Sequence, residues 1–288
     1  MTKRILITGK SSYIGNKFIE WIEESNEDFH IDTISVRDNS WKEMNFARYD
    51  TILHLAGIAH VSKDPNMEEL YYAVNRDLTI SLAEKAKKDG VKQFIFMSSI
   101  IVYGDGVGAD GLITEKTIPK PRDFYGNSKL QAEDGIRPFS DDSFNVAIIR
   151  PPMIYGKGSK GNYPKLARLA LKLPLFPDYE NQRSMIYIDN LSNFIKMIIC
   201  EEENGLFFPQ NEEFVKTSNM VKVICEMHNN KIKFTRICNP LIKFIASRII
   251  YINKIFGNLK YSYELSEYKL KYQIIDFKES IKSTEIGE

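Results

Sequence analysis

The sequence predicts an α/β protein with a doubly wound parallel sheet and a smaller C-terminal lobe. Apolar strand-like runs alternate with helix-like segments through the first half of the chain, as expected where right-handed helical crossovers join parallel strands. The apolar run Thr51–Ala56 is typical of a parallel strand that is buried on both faces. A glycine-containing turn, Thr8–Gly15, follows the first strand and leads into a helix, as such folds commonly begin.

The alternation predicts each element in order. Strands are expected at 4–8, 34–36, 51–56, 94–97 and 146–149, and helices at 14–24, at 67–88 and from Tyr125 onwards.

After Arg150 the alternation loosens, because Pro and Gly cluster in Arg150–Gly156 and again near Pro174 and Pro177. We therefore predict a first domain over 1–150, to which 184–200 returns, and a smaller lobe over 151–288. That lobe is expected over the carboxyl edge of the sheet, where open α/β folds bind ligands.

Composition excludes several classes of function. The 288 residues carry 39 Lys and Arg against 38 Asp and Glu, and this balance predicts no nucleic-acid partner. Three cysteines without Cys-x-x-Cys spacing indicate thiols in a reducing cytoplasm, with neither a disulfide framework nor a metal site.

No secretory signal is expected, because Met1–Arg4 leads directly into a strand. The apolar stretch from Pro240 to Leu259 is interrupted by Lys243, Arg248 and Lys254, so no integral membrane segment is predicted. A packed amphipathic helix is the simpler interpretation, and peripheral membrane contact is the alternative.

The turn Gly9–Gly15 is suited to a pyrophosphate. Gly9 permits a tight turn, Gly15 permits close helix packing, and the helix N-terminus offers free N–H groups to an anion. Ser12 replaces the usual middle glycine, and its side chain reduces the space in which a ligand can approach the backbone. The Gly-x4-Gly-Lys-Ser/Thr spacing of a P-loop is absent.

Tyr125 and Lys129 form the most informative pair in the chain. Their i, i+4 spacing places both side chains on one face of the predicted helix. A neighbouring ammonium favours a phenolate, so we expect Lys129 to lower the pKa of Tyr125 and to make it a usable acid and base. Ser98 and Ser99 end an apolar run upstream.

With the turn, Ser98–Gly104 and Tyr125–Lys129 in this order, the chain resembles the extended short-chain dehydrogenase/reductases of the NAD-dependent epimerase/dehydratase family. The resemblance covers nearly the whole chain and includes Leu55-Ala56-Gly57, Tyr71-Tyr72 with Asn75, Arg150-Pro151-Pro152 and Arg183–Asp189. It is strongest to nucleotide-sugar 4-ketoreductases and 4-epimerases of bacterial surface-polysaccharide biosynthesis. It implies a Rossmann-type NAD(P)-binding domain, a substrate-binding lobe, a UDP-sugar substrate and a cytoplasmic homodimer.

The resemblance implies a role for each matching residue. Tyr125 would be the catalytic acid and base, Lys129 would tune it and hold the nicotinamide ribose, and Ser99 would bond the reacting sugar oxygen. Arg183 would grip the diphosphate, and Lys260 is a candidate for a second phosphate contact. The cofactor would contact Gly9, Ser12, Tyr13, Ile14, Gly15, Arg37, Leu55, Ala56, Gly57, Asn75, Met97 and Pro152.

Departures from the family pattern narrow the reaction. Ile100 and Ile101 stand where dehydratases of the family carry an Asp-Glu pair, and Met153 stands where UDP-hexose 4-epimerases place an Asn. These features favour an NADP(H)-dependent reductase of a UDP-4-keto-6-deoxy-N-acetylhexosamine. The alternatives are a C4 epimerase with tightly bound NAD and an inactive cofactor-sensing protein on the same fold.

Arg37 favours NADP(H) over NAD(H), because an arginine after the second strand accommodates the 2′-phosphate of NADP. If the stretch instead matches a later turn, Asp38 would neighbour the adenine, and a solvated surface arginine is a further alternative. Of the other polar residues, His54 is expected to be a hydrogen-bonded core histidine, and His60 is a candidate for lining the cleft.

Overall fold

The computed structural model describes residues 2–25, 27–58, 64–104, 107–108, 110–246 and 249–287. The chain divides into two compact units. Unit 1 contains Met1–Gly104, Pro119–Pro151 and Ser192–Phe208, and unit 2 contains Asp105–Ile118, Pro152–Leu191 and Pro209–Glu288. The segment that returns to unit 1 is thus Ser192–Phe208, whereas the sequence predicts 184–200. His60 lies outside the described residues.

Unit 1 is built on a parallel sheet of six strands, which confirms the predicted doubly wound Rossmann-type fold. Numbered along the whole chain, the strands are β1 (Lys3–Thr8), β2 (Phe29–Ile34), β3 (Thr51–His54), β4 (Gln93–Met97), β6 (Asn145–Ile149) and β10 (Gly205–Phe207). Their order in the sheet is β10-β6-β4-β3-β1-β2, and each neighbouring pair is parallel.

The strand order reverses at β1. The chain leaves β1 for β2 on one side and then returns to β3 on the other side of β1. The loops that leave the carboxyl ends of β1 and β3 therefore run in opposite directions, and open α/β sheets bind ligands in the crevice at this point.

The helices that contribute to unit 1 are α1 (Tyr13–Glu24), α2 (Glu68–Tyr71), α3 (Leu78–Lys88), α4 (Phe124–Ile136) and the C-terminal part of α6 (Ile188–Cys200). Residues Tyr72–Asp77 form a π-helical turn that joins α2 to α3. A continuous apolar core includes Leu6, Ile52, Phe94, Phe96 and Ile148 from the sheet.

The second strand was predicted at 34–36, and this prediction is wrong. The strand occupies Phe29–Ile34, because it is the half-buried edge of the sheet and carries polar residues such as His30 and Asp32 at alternate positions. An apolar run is therefore a poor guide to this strand. Arg37 consequently lies three residues beyond the strand's end, and not directly after it.

Unit 2 contains short parallel strand pairs surrounded by helices. The strands are β5 (Leu112–Ile113), β7 (Met153–Tyr155), β8 (Leu175–Pro177), β9 (Met185–Tyr187), β11 (Lys233–Thr235) and β12 (Lys260–Tyr261), paired β7 with β9, β8 with β11 and β5 with β12. The helices are α5 (Asn162–Lys172), α7 (Thr217–Met227), α8 (Asn239–Ala246), α9 (Ile250–Phe256), α10 (Tyr263–Ser266) and α11 (Phe277–Glu285). Among the helices of the described residues, none is both long enough and apolar enough to cross a membrane.

Candidate active site

The turn between β1 and α1 requires glycine at position 9. Gly9 has a φ of +92°, and a Cβ there would lie 3.0 Å from the backbone nitrogen of Ala56 and 3.2 Å from the carbonyl carbon of Leu55. The Gly9 N–H donates to the carbonyl oxygen of Ile34 over 3.0 Å. The ends of β1, β2 and β3 therefore meet closely at this turn.

Helix α1 begins at the same turn with a capped N-terminus. Ser12 is the N-cap residue, and its side-chain oxygen accepts a hydrogen bond from the Gly15 N–H at 3.3 Å. A Cβ on Gly15 would lie 3.2 Å from the Leu55 side chain, so glycine allows the helix to pack closely. Tyr13 and Ile14 form the half-buried start of the helix. The glycine cradle and the positive helix end fit a dinucleotide pyrophosphate.

Asn75 of the π-helical turn fixes the loop after β3. Its Oδ1 accepts from the Ile58 N–H at 2.8 Å, and its Nδ2 donates to the Ile58 carbonyl at 3.1 Å and to Ser128 Oγ at 3.0 Å. A Cβ on Gly57 would lie only 2.9 Å from Asn75 Oδ1 and 3.4 Å from Lys129 Nζ. The close packing of Gly57 against Asn75 and Lys129 thus depends on the absence of a side chain at position 57.

Ser99 and Tyr125 come together although they lie on different elements. Ser99 directly precedes a 3-10 turn, Ile100–Tyr103, and its Oγ accepts from the Ile101 N–H at 3.3 Å. Asp123 is the N-cap of α4 and places Tyr125 in the first turn of that helix. The side chains of Ser99 and Tyr125 are hydrogen-bonded to each other. Two locally capped turns therefore position this pair of hydroxyl groups.

The expectation that Lys129 lowers the pKa of Tyr125 is wrong for this structure. Burial raises the pKa of Tyr125 to about 12, the hydrogen bond with Ser99 opposes this rise, and the charges of Asp123 and Tyr71 add to it. The phenol is therefore protonated at neutral pH and is a proton donor.

The ammonium group of Lys129 lies at the end of β4. Its Nζ donates to the Met97 carbonyl oxygen at 2.9 Å and lies 4.6 Å from the centre of the Phe96 ring. Burial lowers the pKa of Lys129 to about 8, while the charge of Glu133 raises it. Lys129 is thus a buried cation that ties α4 to β4.

A buried ion pair behind the site was not predicted. Arg150 donates to Glu133 through Nε at 2.9 Å and through Nη2 at 2.5 Å, and both side chains are at most 2% exposed. Glu133 also accepts from Ser98 Oγ at 2.5 Å, and Arg150 Nη1 donates to the Tyr103 hydroxyl at 2.7 Å. Since Ser98 precedes Ser99 and Glu133 follows Lys129 by one turn, this network links the two elements that carry the candidate catalytic residues. The sequence signal that could have indicated this network is the i, i+4 spacing of Lys129 and Glu133, which places both side chains on one face of the helix.

The remaining cofactor candidates of unit 1 differ in their exposure to solvent. Met97 is buried and offers its carbonyl oxygen to Lys129. Arg37 is exposed, and its backbone N–H donates to Ser35 Oγ at 3.4 Å. Asp38 caps a 3-10 turn by accepting from the Ser40 N–H at 2.9 Å. The Arg37 side chain is therefore open to solvent, whereas Asp38 has a local structural role.

His54 is a core histidine, as predicted. Its Nδ1 is 2.6 Å from Thr8 Oγ1 and its Nε2 is 2.9 Å from Thr79 Oγ1. Burial lowers its pKa to about 3, so the ring is neutral and both nitrogens are satisfied.

Unit 2 contains a small pocket of about 30 Å³ that includes Arg183. Arg183 Nη1 donates to the carbonyl oxygen of Gly257 at 2.8 Å, which holds the half-buried guanidinium in place. The sequence reasoning missed Lys254, a second cation of the pocket. The wall is formed by Met153, Asn162, Leu166, Arg183, Met185, Val215, Thr217, Met220, Lys254 and Ile255.

Two further candidates of unit 2 do not line this pocket. Lys260 is almost buried, is hydrogen-bonded to Gln182 Oε1 and lies 5.2 Å from the centre of the Phe214 ring. Pro152 is buried at the start of unit 2. Lys254, and not Lys260, lines the pocket that contains Arg183.

Comparison with known proteins gives a consistent family. The model of the family described as "NAD dependent epimerase/dehydratase family" matches residues 5–207. A UDP-glucose 4-epimerase from Vibrio cholerae is 33% identical over 247 residues, which cover 77% of this chain and 75% of that protein. The N-acetyl-alpha-D-glucosaminyl-diphospho-ditrans,octacis-undecaprenol 4-epimerase of Escherichia coli O157:H7 is 31% identical over 216 residues, or 68% of this chain and 63% of that protein.

Solved structures share the fold. A UDP-glucuronic acid 4-epimerase from Bacillus cereus in complex with NAD superposes with a TM-score of 0.74 at 16% identity, covering 99% of this chain and 98% of that one. A dTDP-4-dehydrorhamnose reductase from Clostridium acetobutylicum gives a TM-score of 0.73 at 16% identity, with 97% of each chain covered. At these identities the likeness extends to the fold alone.

Proposed function

The chain belongs to the NAD dependent epimerase/dehydratase family, and we propose that it reduces the C4 keto group of a UDP-4-keto-6-deoxy-N-acetylhexosamine. The observation that carries this proposal is the protonated hydroxyl of Tyr125, which is hydrogen-bonded to Ser99 and lies on α4 one turn before the buried Lys129. Reduction of a ketone needs a proton donor at its oxygen, and a phenol whose pKa is about 12 remains protonated until the reaction demands its proton.

In this proposal Tyr125 donates its proton to the C4 oxygen, and Ser99 shares a hydrogen bond with the same oxygen. As the phenolate forms, the Ser99 hydroxyl stabilises it, because this hydrogen bond favours the charged form of Tyr125. A bound nicotinamide would supply the hydride. Gly9, Ser12, Gly15, Gly57 and Asn75 would hold the cofactor, and Lys129 would hold its ribose.

The pocket of unit 2 supports a diphosphate-linked substrate. Arg183 is held by backbone carbonyl oxygens, and Lys254 adds a second positive charge to a wall that is otherwise mostly apolar. A planar guanidinium suits bidentate binding of phosphate oxygens. We propose UDP as the carrier, and the polyprenol diphosphate carrier named for the Escherichia coli relative is the alternative.

A C4 epimerase is the second candidate, and the names of both sequence relatives favour it. An epimerase keeps its cofactor and takes no net hydride from solution, whereas a reductase consumes one NADPH per product. The purified protein should therefore be denatured and assayed for released NAD, and then mixed with UDP-4-keto sugars and NADPH. Stoichiometric NADPH oxidation supports the reductase, and retained NAD with interconversion of UDP-hexoses at C4 rejects it in favour of the epimerase.

The preference for NADP(H) is also a proposal, with NAD(H) as the alternative. Arg37 is exposed and follows the edge strand of the sheet, so its guanidinium can reach a 2′-phosphate without breaking a buried contact. Arg37→Ala should lower the ratio of kcat/KM for NADPH to that for NADH by roughly tenfold, as for one lost charged contact. An unchanged ratio would reject the assignment. Homodimer formation through the predicted helices 67–88 and 125–135 stays a prediction.

A further inference from the structure

Helix α8 of unit 2 is apolar on two faces. Ile242 is 9% exposed and faces the interior of the unit, whereas Leu241 and Phe244 are 60% and 57% exposed on the outside. The turn before the helix adds Ile237, which is 89% exposed. We call the exposed group Ile237, Leu241, Lys243 and Phe244 the α8 patch. Soluble surfaces carry single exposed apolar residues commonly, but a cluster on one short element marks a site of contact.

The charge of this segment is strongly one-sided. Residues 231–260 contain seven basic and no acidic residues, although the whole chain is nearly balanced at 39 against 38. The basic residues of the segment are Lys231, Lys233, Arg236, Lys243, Arg248, Lys254 and Lys260.

One cation of the segment is already paired, because Asp178 forms ion pairs with Arg236 at 2.9 Å and with Lys216 at 2.8 Å. Lys243 is exposed in the middle of the α8 patch.

We propose that the α8 patch binds the surface of a membrane containing anionic lipids. Exposed Leu and Phe beside Lys are the combination by which short amphipathic helices lie in a lipid interface, and cations near the surface are attracted by anionic head groups. With eight residues, α8 spans only about 12 Å and lies in the interface without crossing it.

Charge argues for a membrane over a second copy of the chain. In a symmetric dimer the same patch would meet itself, so Lys243 of one copy would face Lys243 of the other. The outward apolar side chains equally argue against a nucleic acid, because its charged phosphates would lie against Leu241 and Phe244.

The patch is also connected to the pocket of unit 2. Helix α8 packs on α9, and α9 supplies Lys254 and Ile255 to the wall of that pocket. A membrane bound at α8 would therefore hold lipid head groups near the residues proposed to bind a sugar diphosphate. The binding itself does not depend on the proposed reaction, so it can be tested without a substrate.

The test is co-sedimentation of the full-length protein with vesicles of phosphatidylcholine, with and without phosphatidylglycerol. We expect binding to the vesicles with phosphatidylglycerol and its loss at high salt. The double variant Leu241→Asp/Phe244→Asp should bind at least about tenfold more weakly. The matched control is Ile118→Asp/Ile286→Asp, which places two carboxylates at residues that are 84% and 57% exposed elsewhere in unit 2 and should bind like the wild type.

Circular dichroism and analytical ultracentrifugation complete the test. If the double variant does not fold, Lys243→Ser replaces it, with an expected loss of about fivefold for one surface cation. Equal binding by the variant and the control, or no binding of the wild type to either vesicle, would overturn the proposal. A wild-type dimer that the double variant converts to a monomer, without vesicle binding, would overturn it too and assign the patch to a contact between copies.

Discussion

The candidate catalytic group of unit 1 and the pocket of unit 2 differ in how their residues are distributed along the chain. The catalytic group draws on two short segments, Ser98–Tyr103 and Tyr125–Glu133, which are joined by hydrogen bonds between buried polar groups. The pocket draws on side chains spread from Met153 to Ile255, and most of its wall is apolar. Polar chemistry built from local spacing is visible in a sequence, whereas an apolar cavity assembled from distant segments is visible only in a structure.

The comparison is tested most severely at Tyr125. Tyr125→Phe removes the proton donor without changing the ring, so kcat should fall by about 10²–10⁴-fold while the protein still folds and unfolds cooperatively. Tyr263→Phe, at an exposed tyrosine of unit 2, is the matched control and should leave kcat unaltered. If the activity of Tyr125→Phe is near that of the wild type, Tyr125 is not the proton donor.

The next effect concerns the buried ion pair behind the catalytic group. Glu133→Gln leaves the Arg150 guanidinium buried without its carboxylate, so the free energy of unfolding should fall by about 3–5 kcal/mol. Arg137→Gln removes the exposed partner of the same carboxylate and should cost less than about 1 kcal/mol. Denaturant titration of both variants measures the difference, and equal losses would show that burial does not distinguish the two contacts.

A smaller effect is expected in the pocket of unit 2. Arg183→Ala removes charged contacts to a diphosphate, which should raise KM for the sugar nucleotide by about ten- to a hundred-fold and leave the Kd for NADPH close to that of the wild type. Arg168→Ala, at an exposed arginine of α5, is the control. If calorimetry finds that Arg183→Ala loses cofactor binding instead, the assignment of Arg183 to the sugar-nucleotide site is wrong.

The smallest effect is the pH dependence that Lys129 confers on stability. Burial lowers the pKa of Lys129 from 10.5 to about 8, so above pH 8 the unfolded chain binds more protons at this residue than the folded chain does. The stability of the wild type relative to Lys129→Met should therefore rise with pH by at most about 2 kcal/mol between pH 8 and 9.5. Measurement ends below pH 10, where Tyr125 in the unfolded chain begins to ionise. If the difference in unfolding free energy between the wild type and Lys129→Met is constant or falls with pH, the ammonium group of Lys129 is not desolvated in the folded protein.

The sequence predicted the sheet, its helices and the shared helix face of Tyr125 and Lys129 for a common reason, whereas the meeting of Ser99 with Tyr125 was implied by the resemblance to a family. Buried parallel strands are continuous apolar runs, and residues at i, i+4 share a helix face whatever surrounds them. The edge strand was misplaced because its polar His30 and Asp32 interrupt the apolar pattern.

Features that depend on tertiary environment could not be predicted in the same way. The pKa of Tyr125 follows from burial, which the i, i+4 spacing does not report, and so the sign of the expected shift was wrong. Lys254 and Lys260 are two lysines of the same basic segment, and the sequence does not distinguish them. The fold of unit 2 places Lys254 in the wall of the pocket and Lys260 against Gln182. The pairing of Glu133 with Arg150 likewise joins positions 17 residues apart.

The last strand of the parallel sheet comes late in the chain. Strand β10 pairs with β6, and the Gln93 side chain donates to the carbonyl oxygens of Ile198 and Glu203. During synthesis, β6 therefore emerges from the ribosome more than 50 residues before its neighbour. Until then it presents an open edge of apolar residues to the nascent chain and to other proteins. A protein released before Phe207 is made would keep Tyr125 and Lys129 but would expose that edge, so aggregation, rather than loss of a catalytic residue, should be its first defect.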